Sequence, residues 1–200
     1  MVDVNNMRVM QVLSEATNVI AEGEVMQLMN MHDASLDEAA YLRVIRSKTA
    51  KLFEASARLG AILMGADGQT EAACATYGQA LGTAFQVIDD VLDYEGQAEE
   101  LGKNLGDDLR EGKVTLPIIC ALRTADAAQA AVIRQAIENG DLTHLNEILD
   151  IVTRTGALEA ARQSAMAEAE RAAAAARQLP VNEYRAALLQ LTVGLLERRS

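Results

Sequence analysis

Only two prolines, Pro117 and Pro180, punctuate the 200 residues of this chain. A sequence so free of helix breakers, rich in Ala and Leu, has little choice of architecture. No stretch shows the strict alternation of a half-buried strand. The spacing of apolar residues predicts helices over 3–31, from Ser35 to about Gly65, and over about 71–94, 116–124, 126–139, 142–154, 157–178 and 182–198. "SLDE" at 35–38 reads as a capping box with Ser35 as N-cap and Glu38 at N3. Pro117 suits a first helical turn, and Asn139-Gly140-Asp141 stops one helix and caps the next. "AERAAAAAR" is Ala-rich helix, not a linker. There is no internal repeat, so the expectation is an all-α helical bundle in one domain, 1–200. The first helix is read as already under way at the chain's start, without a cap, which points to the later part of something longer.

Charge narrows the function classes. Asp plus Glu is 29 against 18 for Lys plus Arg, a net charge of −11, which argues against a nucleic-acid surface. Cys74 and Cys120 cannot build a disulfide framework and lack partners at metal-ligand spacing, so both are expected in the core of a protein from a reducing compartment. No apolar run approaches the roughly 18 residues that span a bilayer. The start has no basic segment followed by an apolar one, so no signal peptide is read. A soluble, cytoplasmic protein is expected.

Against that background, "FQVIDDVLDYEG" (85–96) places Asp89, Asp90 and Asp93 in an apolar helical run. At 100° per residue Asp89 and Asp93 lie about 40° apart and Asp90 about 100° from Asp89, so the three are read as projecting from one side. Like charges at this spacing repel by roughly 0.2–0.5 kcal/mol per pair, more if buried, and a cation is the natural compensation. Gln86 and Gly82 continue the acidic face one turn back, where the glycine is read as leaving room for a ligand. Ala84, Val87 and Val91 anchor the other side. Crowded Asp oxygens suit a hard divalent ion, Mg²⁺ in particular, with substrate phosphates completing its shell. A solvated acidic patch, or a calcium site of no catalytic meaning, is the plain alternative. Lys103 and Lys113, set among glycines downstream, and Lys48 upstream with Thr49 beside it, supply the basic half of a diphosphate site. Lys51 is read as pointing elsewhere, and Asp107 and Asp108 as partners of the nearby lysines. His32 and His144 read as ordinary polar surface residues.

"GTAFQVIDDVLDYEG" followed by "LGKNLGDDLREGKVTLP" resembles the second aspartate-rich motif and basic tail of the all-trans polyprenyl diphosphate synthases. "SKTAKLFEAS" resembles that family's Lys-Thr helix, and "VIAEGEVMQL" the core helix before it. The likeness extends along the whole chain, is densest over 41–117, and within the family is greatest to octaprenyl-type long-chain synthases, makers of quinone side-chain precursors. The resemblance implies the isoprenoid-synthase helical bundle and a homodimer. It implies that Asp89 and Asp93 hold Mg²⁺ on the allylic diphosphate with Asp90 in support. Lys48, Lys103 and Lys113 would neutralise diphosphate oxygens, while Thr49 and Gln86 would lie beside the developing allylic cation. The reaction implied is ionisation of a farnesyl-type allylic diphosphate, attack by isopentenyl diphosphate and loss of a proton. The family has two facing aspartate-rich motifs, and this sequence contains a single DDxxD. The expectation is therefore a C-terminal portion lacking the N-terminal helices, the first motif and the isopentenyl diphosphate site, and inactive alone. A non-catalytic helical subunit pairing with an active synthase is the alternative. A terpene cyclase is disfavoured by "GKNLGDDLREGKVTLP".

Overall fold

The computed structural model describes residues 4–95, 105–140 and 143–198, and among them there are helices and turns but no strand. In chain order the elements are α1 (Met7–Met29), α2 (Glu38–Ile45), a π-helical turn (Arg46–Ala50), α3 (Lys51–Leu63) and α4 (Gly68–Glu95). They continue with the single turn α5 (Asp107–Arg110), then α6 (Leu116–Thr124), α7 (Ala127–Asn139), α8 (Leu145–Arg154), α9 (Ala157–Ala176) and α10 (Glu183–Leu196). The all-α expectation holds. None of the described helices is long and apolar enough to cross a membrane.

The bundle is organised around α4, which packs along α3 on one side and α9 on the other, with α10 lying over both α4 and α9. Small residues set these distances. Ala80 and Tyr77 of α4 meet Ala172, Ala175 and Ala176 of α9 in one buried cluster. A side chain on Gly82 would stand 2.7 Å from the Ala50 Cα and 2.9 Å from the Phe53 ring. This corrects the reading of Gly82 as room for a ligand: the space is taken by the neighbouring helix. A larger apolar core joins Val87, Val91, Leu109, Leu116, Ile118, Ile133, Ile148 and Val152, so that the C-terminal half of α4 is buttressed by α6, α7 and α8. Val87, Val91 and Ala84 are fully buried, as the helical phase required.

Several boundaries differ from expectation, each for a local reason. α1 does not open at residue 3: Asn6 caps it, its side-chain oxygen accepting from the backbone N–H groups of Arg8 and Val9. Ser35 is not a cap. Its hydroxyl and N–H both donate to Asp33 Oδ1, and Asp37 caps α2 instead by accepting from the Ala40 N–H at 2.7 Å. Asp67 likewise accepts from the Thr70 N–H, so α4 starts about a turn earlier than read. α8 starts later, at Leu145, without a side-chain cap, and the expected cap Asp141 lies outside the described residues. Where the local chemistry was unambiguous the reading holds. Pro117 sits in the first turn of α6, Asp126 and Gln129 form a reciprocal capping box on α7, and Gly140 ends that helix in the left-handed region.

Candidate functional site

The run 38–63 is nearly continuous helix, but at Arg46–Ala50 it widens into a π turn. Such single-turn widenings shift the phase of the side chains on either side. Here the turn is pinned from α1, where a Cβ on Gly23 would stand 2.5 Å from the Lys48 backbone N. Thr49 faces the C-terminal half of α4, where it meets Gln86, and Lys48 reaches the same cleft while bonded to Gln27 and Glu24 of α1. Lys51, three residues on, points away and pairs with Glu15 at 3.0 Å and Glu54 at 2.9 Å.

Thr49, Gln86, Lys48, Lys113, Asp90 and Asp108 come together around a cavity of about 90 Å³, closed on its inner side by Tyr41, Val44, Ile45 and Val114. At that volume it is a narrow polar cleft, well below the roughly 300–1,000 Å³ usual for ligand sites. The Thr49 hydroxyl donates to Gln86 Oε1 at 2.9 Å, and Gln86 Nε2 donates to Asp90 Oδ1 at 2.8 Å. The Tyr41 hydroxyl donates to Asp90 Oδ2 at 2.5 Å. Lys48 Nζ donates to Gln27 Oε1 at 3.0 Å and pairs with Glu24 at 3.2 Å. Lys113 lies 3.0 Å from Asp108 and 2.7 Å from Glu111, which agrees with Asp108 as a lysine's partner. Asp107 pairs instead with Arg110. Lys103 lies outside the described residues.

The three aspartates do not share one face. Asp90 turns into the bundle and is buried. Asp89, about 100° away, faces the end of α10, where Arg198 stands 3.7 Å from its Oδ1 and 5.0 Å over the Phe85 ring. Asp93 lies over the 105–113 turn: its carbonyl accepts from the Gly106 N–H at 3.0 Å, and its Oδ2 from the Asp108 N–H at 3.2 Å. Among the described residues no group of three or more His, Cys, Asp or Glu is arranged to hold a metal ion.

Charge at this end is poorly compensated. Burial, and then the Asp108 carboxylate, push Asp90 up to about 8 and Asp93 up to about 6. Burial alone would lower the Lys113 ammonium, but the Glu111 and Asp108 carboxylates overcome it and raise the group well above its ordinary value. Burial and Asp90 raise the Tyr41 hydroxyl likewise.

Beyond Phe85 an open apolar groove of about 590 Å³ runs between α3, α4 and α10, lined by Phe53, Leu81, Phe85, Leu191 and Leu195. The residues that sequence reasoning missed are Tyr41 and Arg198. Tyr41 lies seven residues before Lys48 on the same run of helix, a spacing that returns to the same face and could have flagged it. Nothing in "LLERRS" singles out Arg198. His32 is exposed, as expected, but not idle. Held at a positive φ of 62°, it donates its N–H to the Gly112 carbonyl, while Nδ1 lies 2.7 Å from the Ile137 carbonyl oxygen. Cys120 is buried, whereas Cys74 is only half-buried.

Comparison with known proteins places this geometry. The sequence pattern described as "Polyprenyl synthetase" matches residues 1–153. Octaprenyl diphosphate synthase of Escherichia coli K12 is 50% identical over 199 residues, which make up 99% of this chain and 62% of that protein. The crystal structure of a decaprenyl diphosphate synthase from Rhodobacter capsulatus superposes with a TM-score of 0.92 at 44% identity, covering 100% of this chain and 62% of that one. The polyprenyl synthase of Caulobacter crescentus CB15, solved with calcium and isoprenyl diphosphate, gives a TM-score of 0.95 at 42% identity, with the same coverage of 100% and 62%. The chain thus spans about three-fifths of the length of the relatives it matches.

Proposed function

The chain belongs to the polyprenyl synthetase family, and on that premise we propose that it supplies the diphosphate-ionising face of a long-chain all-trans synthase. The reaction would join isopentenyl diphosphate to a farnesyl-type allylic diphosphate, with an octaprenyl-like product and a homodimeric enzyme. The observation that carries the reading is the convergence of Lys48, Thr49, Gln86 and Lys113 with Asp90 of α4 and Asp108 of α5 on one cleft. Two cations for phosphate oxygens and two neutral oxygens for an allylic cation are what such a step needs.

The roles follow from chemistry. Asp89 and Asp93, one turn apart and both part-exposed, are the carboxylates that would hold Mg²⁺, with Asp90 behind them. The donor set fits a hard divalent ion because it is all oxygen and because burial, and then the Asp108 carboxylate, hold the Asp93 carboxyl above its ordinary value. When bound with the substrate's phosphates, that ion supplies Lewis-acid stabilisation of the leaving diphosphate. Lys48 and Lys113, now held by Gln27, Glu24, Asp108 and Glu111, exchange those partners for diphosphate oxygens, and Lys103 joins them. As the allylic carbon–oxygen bond breaks, the bonding pair leaves with the diphosphate, and the oxygens of Thr49 and Gln86 face the positive carbon without attacking it. The isopentenyl double bond then forms the new carbon–carbon bond and a proton is lost. The apolar groove beyond Phe85 suits the hydrocarbon tail.

Calorimetry with a non-ionisable allylic diphosphate analogue tests this. Binding should require Mg²⁺ and weaken at least tenfold in Asp89→Asn and Asp93→Asn. Unchanged Mg²⁺-dependent binding in both variants would remove the assignment.

A further inference from the structure

We propose that Tyr41 and Asp90 are positioning residues that fix which end of the Gln86 amide faces the cleft, a role that rests on reading the cleft as an allylic-diphosphate site. The three hydrogen bonds converge on Asp90, which accepts at both oxygens. Thr49 Oγ1 donates to Gln86 Oε1 at 2.9 Å, Gln86 Nε2 to Asp90 Oδ1 at 2.8 Å, and Tyr41 Oη donates to Asp90 Oδ2 at 2.5 Å.

An amide has two chemically opposite ends, and its partners decide the orientation. Asp90 offers Oδ1 to the Gln86 NH₂ because its other oxygen is taken up by the Tyr41 hydroxyl. The carbonyl is thereby left to accept from Thr49, whose own oxygen lone pairs stay open to the cleft. With the amide turned over, the Gln86 oxygen would oppose a carboxylate oxygen. Its N–H dipole would then face the cleft, where it would repel a carbocation rather than stabilise one.

The Asp90 carboxylate must itself be held still for this to work, since rotation about its terminal torsion is otherwise soft. Tyr41 does that. Both side chains are 3% exposed, so water does not compete for either oxygen. Asp90 is thereby engaged at both oxygens and turned away from Asp89, which separates its work from that of Asp89 and Asp93. Tyr41 comes from α2 and Thr49 from the π turn, so the same run of helix places both ends of the relay.

The test reads the amide itself, in the free chain, without substrate or metal. With ¹⁵N-labelled glutamine, the Gln86 side-chain signal is assigned by its disappearance in Gln86→Leu. Its hydrogens should exchange with water at least about tenfold more slowly than those of exposed Gln69, as expected for a hydrogen bond to a buried partner. Tyr41→Phe keeps the ring and removes only the hydroxyl; it should speed that exchange several-fold while the backbone spectrum stays native. Asp90→Ala should abolish the protection, and Asp89→Asn should leave it intact. If Asp90→Ala does not fold, Tyr41→Phe decides alone. A Gln86 amide that exchanges as fast as Gln69, or one unmoved by Tyr41→Phe, overturns the proposal, since a space-filling tyrosine would give that result. Failure of Mg²⁺-dependent binding would count against the function proposed above and would not touch this measurement.

Discussion

Along α4, Gly78 lies so close under α3 that a Cβ there would stand 2.3 Å from the Phe53 carbonyl oxygen; twelve residues on, Asp90 is buried just as deeply with a carboxyl group pushed up to about 8. The first half of the helix is specified by size, because Gly78 lets α3 approach and Ala80 lets α9 approach. The second half is specified by charge placed where charge is expensive to keep. One helix thus carries a region where enlarging a packed residue should destabilise and another where a conservative change should stabilise. That difference in sign separates packing from function, since a stability deficit retained at a site is commonly the counterpart of activity.

The largest effect is expected in the packed half. Gly78→Ala gains about 1 kcal/mol of helix propensity but must push α3 away from a backbone contact. Overpacking of that kind typically costs about 1–3 kcal/mol and occasionally more. A net loss of about 2 kcal/mol is expected, read as a melting temperature lower by about 4–8 °C for a chain of this size. Unchanged stability would dissolve the contrast from the packing side.

Next in size, and opposite in sign, is Asp90→Asn. It keeps a polar group for Tyr41 to bond and removes a carboxylate raised by burial and by Asp108. Stability at pH 7 should rise by about 1–2 kcal/mol, since a tenfold change in proton affinity between folded and unfolded chain corresponds to about 1.4 kcal/mol. A loss instead would mean that the Gln86 and Tyr41 bonds outweigh the buried charge.

The pH dependence sharpens the same point. Asp90 and Asp93, at about 8 and about 6, both lie above their ordinary value of 3.8. Between pH 4 and 8 the folded chain therefore holds more protons than the unfolded one, so these groups make stability fall as pH rises through that window. Denaturant midpoints in chelator should decline from pH 5 to pH 8 in the native chain and decline less in Asp90→Asn. A flat profile would place the aspartates at ordinary values.

Smallest of all should be Lys51→Ala. Its pairs with Glu15 and Glu54 join helices on the outer side, away from the cleft, so a loss of at most about 1 kcal/mol is expected. Binding of a diphosphate analogue should be untouched, whereas Lys48→Ala should weaken it. Equal losses in binding would mean that the π turn does not separate the two lysines.

Much of this was legible in the sequence, for reasons that differ by region. Pro117, Asp126 with Gln129, and Gly140 act through their own backbone preferences and so announce helix ends directly. Ser35 failed as a cap because Asp33, two residues away, competed for its hydroxyl and N–H. Helical phase placed Ala84, Val87 and Val91 correctly. It could not show that Gly82 serves a neighbouring helix, nor that Asp90 would rotate inward, because both depend on what α2 and α3 bring to α4. Nor does anything in "RSKTA" mark a π turn: the close approach of Gly23 to Lys48 is a contact across 25 positions of sequence.

The central claim is that the acidic end of α4 is kept unstable so that a cation and a diphosphate can complete it. The most direct measurement is the melting temperature at pH 7.5, in chelator and then with saturating Mg²⁺ plus inorganic diphosphate. It should be made on the native chain and on the double variant Asp89→Asn/Asp93→Asn. A ligand at one hundred times its dissociation constant adds about 2.7 kcal/mol, so the native chain should melt about 5–10 °C higher with both components. The double variant should start above the native chain in chelator and gain nothing from Mg²⁺ and diphosphate. Equal gains in the two proteins, or a double variant less stable than the native chain in chelator, would contradict the account.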